Sequence, residues 1–311
     1  MTIFIHIGLN KAGSSSIQRL CHLERALLRE HRLDYPDVGI HDSAHYGISK
    51  LLINQPSQVV TADAEDLRKA LRSAVASNTS ILLSSEYFFL AKDDEVLRIK
   101  EFLADFDVEK KVIVYLRRHD LWIASLFNQA IKTTPVYKPW HSDIRDYTIH
   151  LLGDRSFETR YSVIVDRWAA HFGAGNLVVR PFEQAQFRMG DFSWDFLGSI
   201  DVELPALLKE QGIAPVVVNQ SLPEHLLRTI SYVKASSTDN KTKNAITSLL
   251  IRTDGTALAA RNVRPPWDSR SFVLPPYLRK AIVDLFAEDY TYIAETYVGA
   301  NDGVLFREPL N

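Results

Sequence analysis

Over roughly the first 180 residues, short β-branched apolar runs alternate with longer stretches of helical periodicity, and this restricts the chain to few folds. Strands in such an alternation are joined by helical crossovers, so they lie parallel and need helices on both faces of their sheet. The runs at 3–7, 81–85, 112–116 and 177–179, with a weaker one at 33–38, are the expected strands. Helices are expected at 15–31, 64–76, 94–106, 121–132 and 162–172. Beyond Pro181 the pattern changes to helices alone, at 223–234, 241–251 and 276–297. The expected fold is therefore α/β: a parallel sheet of about five strands flanked by helices, with a helical C-terminal part. Residues 1–311 are expected to form one domain, with an α/β core at 1–183 and an extension at 184–311 that closes over it. The stretch 261–276, rich in Arg, Pro and aromatic residues and lacking periodicity, is the expected lid or binding loop.

Composition narrows the function classes. A chain with 46% apolar residues buries a large core, and 36 basic against 38 acidic side chains offer no overall field for nucleic acid or an anionic membrane. Any anion site is local. The one cysteine, Cys21, has no intramolecular disulfide partner and sits in an apolar helical run, as a buried structural thiol would. No Cys/His spacing suits zinc. No apolar run approaches the ~20 residues that span a bilayer, and the opening run 2–9 reads as a first strand, so the expected location is cytoplasmic.

The first loop carries the clearest chemistry. Residues 5–18 pass from strand through a glycine-containing loop, with Lys11, Ala12, Gly13, Ser14, Ser15 and Ser16 in sequence, into a helix. Loop N–H groups and the unsatisfied first helical turn converge on one spot, where the helix dipole adds about half a positive charge. Gly8 and Gly13 have the separation of the two glycines of a nucleotide-triphosphate loop. The register fails, however, because Ser14 stands where that motif requires lysine and Lys11 lies inside the loop. A lysine within a P-loop-like turn, followed by glycine and hydroxyls, resembles the 5′-phosphosulfate loop of sulfotransferases that use 3′-phosphoadenosine 5′-phosphosulfate (PAPS). Ala12 departs from that family's usual hydroxyl, and serines replace its threonines.

A second strand-to-helix passage, residues 112–129, places Arg117 at the strand's end and Ser125 eight residues later. A strand-end arginine by itself reads as a solvated surface group. In the sulfotransferase family, an arginine and a serine at this spacing bind the donor's 3′-phosphate, and Tyr-Leu-Arg-Arg with Ser-Leu-Phe-Asn-Gln is similar to bacterial members. The resemblance extends more loosely to 177–183, where Phe182 falls near a position beside the adenine, and to 192–197 and 219–222. It implies sulfuryl transfer from PAPS to an acceptor hydroxyl of a carbohydrate, lipid-linked sugar or small natural product, with 3′-phosphoadenosine 5′-phosphate (PAP) released and no metal.

In-line transfer also needs a base. Glu86 ends the third strand run, in the slot of the base in the family's steroid and phenol branch. His45 follows the weak second strand, where heparan-modifying relatives carry theirs. One of the two is expected to be the base and the other to position the acceptor. Lys11 would meet charge on the leaving phosphate. The acceptor pocket is expected from segments including 133–146 and 261–276. Two other classes stay open: a nucleotide-dependent small-molecule kinase, and a non-catalytic relative that keeps the cleft.

Overall fold

A computed structural model describes residues 1–53, 59–133, 138, 142–154, 158–216, 222–236, 239–252 and 271–310. Five strands, β1 (Thr2–His6), β2 (Leu33–Asp34), β3 (Ser80–Ser84), β4 (Glu109–Leu116) and β5 (Leu177–Pro181), form one sheet in the order β2-β3-β1-β4-β5. All four pairings are parallel. β1 is buried at every position and reads as a continuous apolar run, as a central parallel strand covered on both faces must.

The helices are α1 (Ser14–Leu23), α2 (Arg25–Glu30), α3 (Tyr46–Ile53), α4 (Ala64–Ala76), α5 (Asp93–Leu103), α6 (His119–Thr133), α7 (Ile144–Gly153) and α8 (Tyr161–Phe172). They continue as α9 (Phe192–Ile200), α10 (Leu204–Glu210), α11 (Glu224–Ala235), α12 (Asn240–Arg252), α13 (Pro276–Leu285) and α14 (Ala287–Ile293), the last running into a π turn at Ala294–Val298. No helix among the described residues is long and apolar enough to cross a membrane.

The α/β class and the parallel five-stranded sheet agree with the sequence reading, and the differences lie at element ends. The helix expected over 15–31 divides at Glu24, whose backbone (φ −97°, ψ 17°) leaves the helical region. The weak second strand is only two residues long and stops short of Pro36, which has no N–H for a ladder. The last helix breaks at Phe286 (φ −105°, ψ 10°). α3 and α7 lie where no helix was expected, being 8 and 10 residues long and so presenting too few turns for a clear periodicity. By contrast α4 occupies the expected residues, because Asp63 caps it by accepting from the N–H groups of Glu65 and Asp66.

The chain divides into two compact units. The first, residues 1–117, 160–218 and 288–308, contains the whole sheet. Its core includes Cys21, fully buried, whose thiol is pushed up to about 12 by that burial. The second, residues 118–159, 219–287 and 309–311, is helical where described. Within it Asp120 is buried and paired with both Arg118 and Arg279, and Asp143 caps α7 while accepting from the N–H of Ser271.

Candidate functional site

Connections from β1 and β4 run toward opposite edges of the sheet, so the crevice at their carboxyl ends is the topological switch point where open α/β folds bind ligands. Lys11 follows β1 and Arg117 follows β4. The Arg117 guanidinium Nη1 donates to the Lys11 carbonyl at 2.6 Å, so the two loops meet there.

The β1 loop is held in an unusual conformation. Lys11 (φ 65°) and Gly13 (φ 82°) both take left-handed backbone, which costs a lysine but suits glycine. Alternating handedness is the backbone pattern from which anion nests are built, and here the Ala12 N–H bonds back to the Leu9 carbonyl at 3.2 Å. Gly13 is also required by packing, since a Cβ there would lie 2.3 Å from the Phe192 ring and 2.7 Å from the Phe182 ring. Ala12 is buried. Ser14 donates its hydroxyl to the Leu9 carbonyl at 3.2 Å and so closes the loop from inside, while Ser15 and Ser16 are half-buried at the start of α1.

Two rings wall the cradle. Phe182 follows β5, with its N–H bound to the Leu116 carbonyl and its ring 5.5 Å from the Arg117 guanidinium. Its neighbour Phe192, 4.9 Å away edge to face, begins α9. Sequence reasoning gave Phe192 no role. What fixes it is a buried carboxylate one turn on: Asp195 accepts from the Tyr115 hydroxyl at 2.6 Å and from Arg180 at 2.7 and 2.8 Å. The recurrence of an aromatic at Phe192 and Phe196 above a central acid was the available signal.

Glu86 and His45, offered by the sequence as alternative bases, have opposite surroundings. His45 is fully buried; its Nδ1 accepts from the Ser84 N–H at 3.1 Å and its Nε2 donates to the Pro36 carbonyl at 3.0 Å. Burial lowers its pKa to about 4. Both nitrogens are thus committed to backbone groups, and His45 pins the end of β3. Glu86, half-buried and just beyond that end, starts a 3₁₀ turn at Glu86–Leu90. Burial raises its pKa to about 7, opposed by the charge of Lys11. Lys11 is in turn lowered by burial, with Glu86 raising and Arg117 lowering it. Lys11, Arg117 and Glu86 thus form one electrostatic group drawn from three strand ends.

Beneath it, His6 Nδ1 and Gln18 Nε2 converge on the Ser84 hydroxyl at 2.8 and 3.2 Å, tying β1, α1 and β3 together. Ser125 lies half-buried in α6, in the second unit, whereas Arg117 belongs to the first. Of the expected acceptor-pocket segments, 134–137, 139–141 and 261–270 lie outside the described residues.

Fold and site define an α/β protein with a glycine-turned, lysine-bearing loop at the switch point of a parallel sheet. No family model and no solved structure matches the chain. It is similar to an uncharacterized protein of Archaeoglobus fulgidus, 28% identical over 125 residues, which are 40% of this chain and 31% of that protein. The chain thus matches less than a third of that relative's length.

Proposed function

We propose that the protein is a sulfotransferase that moves the sulfuryl group of PAPS to an acceptor hydroxyl. The observation that carries this reading is the junction of the β1 and β4 loops through Arg117 and the Lys11 carbonyl, with Glu86 within electrostatic reach of Lys11. In the reaction the acceptor oxygen forms a bond to sulfur as the bond from sulfur to the 5′-phosphate oxygen breaks. PAP leaves with the electron pair and the acceptor's proton passes to Glu86.

Each proposed role is supported by a feature of the site. The β1 loop and α1 N-terminus favour the phosphosulfate oxygens, and Lys11 meets the charge that develops on the bridging oxygen, where a cation lowers the barrier most. Arg117 suits the donor's 3′-phosphate. Glu86 is suited as base because its raised pKa lies near neutrality, where a carboxylate is both ionised and proton-avid. A kinase reading lacks support at the same loop, where a hydroxyl residue replaces the required lysine.

Calorimetry with PAP, with its analogue lacking the 3′-phosphate, and with ATP and magnesium tests the proposal. PAP is expected to bind tightest. Arg117→Ala is expected to weaken PAP by about 1.5–3 kcal/mol more than the dephospho analogue. Preference for ATP would replace this reading with the kinase, and equal losses for both nucleotides would remove Arg117 from the 3′-phosphate.

A further inference from the structure

An aromatic row leads away from Glu86. Tyr87 is the next residue in the 3₁₀ turn, and its ring lies 4.9 Å from that of Tyr46 at the start of α3. Tyr46 in turn lies 6.4 Å from the His41 ring. Both tyrosines are half-buried, so part of each ring is open to a ligand. Glu86 is close enough for its charge, after burial, to raise the Tyr46 hydroxyl's pKa.

His41 then forms part of the wall of a cavity of about 840 Å³ between the segment after β2 and α4. Its volume falls in the range of small-molecule sites. The ionisable groups lining it are unbalanced, with Asp37, Asp63 and Asp66 against Lys69 and His41. Asp37 is paired with Arg25 at 2.7 Å, whereas Asp63, which caps α4 through backbone N–H groups and keeps its charge, and Asp66 stand exposed against the single ammonium of Lys69. Asp42 adds a further carboxylate 3.4 Å from His41.

We infer that Tyr87, Tyr46 and His41 form the acceptor subsite, leading from Glu86 to this cavity, and that the acceptor is an amine-bearing ring alcohol of amino-sugar type. The inference rests on the function proposed above for its direction of transfer. Flat ring faces suit the apolar side of a sugar, the cavity takes a second ring, and the surplus of carboxylates favours an ammonium group and disfavours an anionic acceptor. A ring hydroxyl at the Tyr87 end would lie next to Glu86, which accepts its proton.

The test is ligand-observed NMR titration of the whole protein with methyl glucosaminide, methyl glucoside and methyl glucuronide, each with and without PAP. Saturable binding is expected, with the glucosaminide about two- to fivefold tighter than the glucoside, as an exposed charge pair gives, and the glucuronide weakest. Tyr87→Ala is expected to weaken all three without changing PAP affinity. Asp66→Asn, an exposed change that leaves the fold intact, is expected to shrink the preference for the glucosaminide. The subsite is overturned by absence of saturable glucosaminide binding, by a glucuronide that binds as well, or by binding indifferent to Tyr87→Ala. Loss of PAP binding alone would count against the sulfotransferase reading and leave the sugar ranking readable, so the two failures are distinct.

Discussion

The loop after β1 and the turn after β3 lie at the same edge of the sheet and do their work by different means. At β1 the backbone is the device: two left-handed residues turn the loop, and aromatic rings against Gly13 keep it so. At β3 side chains are the device, with a buried imidazole holding the strand end and a half-buried carboxylate presented beyond it. A site of the first kind tolerates exchange of side chains but not of conformation. The reverse holds for the second. Serine for threonine and alanine for a hydroxyl residue at the first loop therefore matter little, whereas histidine and glutamate at the second are not interchangeable.

Variants can break this contrast. The largest expected effect is on rate: Glu86→Gln keeps size and removes the carboxylate proposed as base, so the single-turnover rate should fall by about 10²–10⁴-fold while PAP affinity holds. An unchanged rate would take the base away from Glu86. Gly13→Ala should cost next most, on the order of 3 kcal/mol in denaturant unfolding, because it adds both a Cβ between two rings and strain at a positive φ. PAP binding should be lost with it, and a stable variant that still binds PAP would show that the backbone is not the device.

His45→Ala should destabilise by about 2–3 kcal/mol, since the Ser84 N–H and the Pro36 carbonyl lose their partner and a cavity replaces the ring. The acidic limb of the rate profile should stay near pH 7, where Glu86 places it. A displaced limb would return His45 to the chemistry.

The smallest effect concerns pH and stability. Glu86 has a raised pKa when folded, so between about 4.5 and 7 its own contribution to stability declines as pH rises, against the larger rise contributed by buried His6, His45 and His119, whose pKa values burial lowers to about 3, 4 and 3. In Glu86→Gln the net rise of stability with pH should be steeper. Denaturant midpoints of both proteins at pH 5 and pH 8 measure it, and parallel slopes would contradict the buried setting of this carboxylate.

The sheet was legible because parallel strands covered on both faces need unbroken apolar runs, and the runs at β1, β3 and β4 contain no alternation to confuse them. The β1 loop was legible through glycine and lysine spacing. What escaped was set by tertiary contact. His45 and Glu86 both had the chemistry of a base, and only burial, contributed by Tyr35, Pro36 and β3, separates them. Phe192 escaped for the same reason, its position depending on Asp195 and on Arg180 from β5. Tyr46 escaped with α3, a helix too short to announce itself.

Cys21 gives this molecule a clock. A thiol fully buried in α1, with its pKa raised to about 12, exposes almost no thiolate to an alkylating reagent in the closed state. Modification must wait for α1 to separate from the sheet, the same event that dissolves the cradle at its N-terminus. The rate of alkylation in native buffer therefore reports how often the cradle comes apart, and a ligand seated on that N-terminus should slow it in proportion to its occupancy.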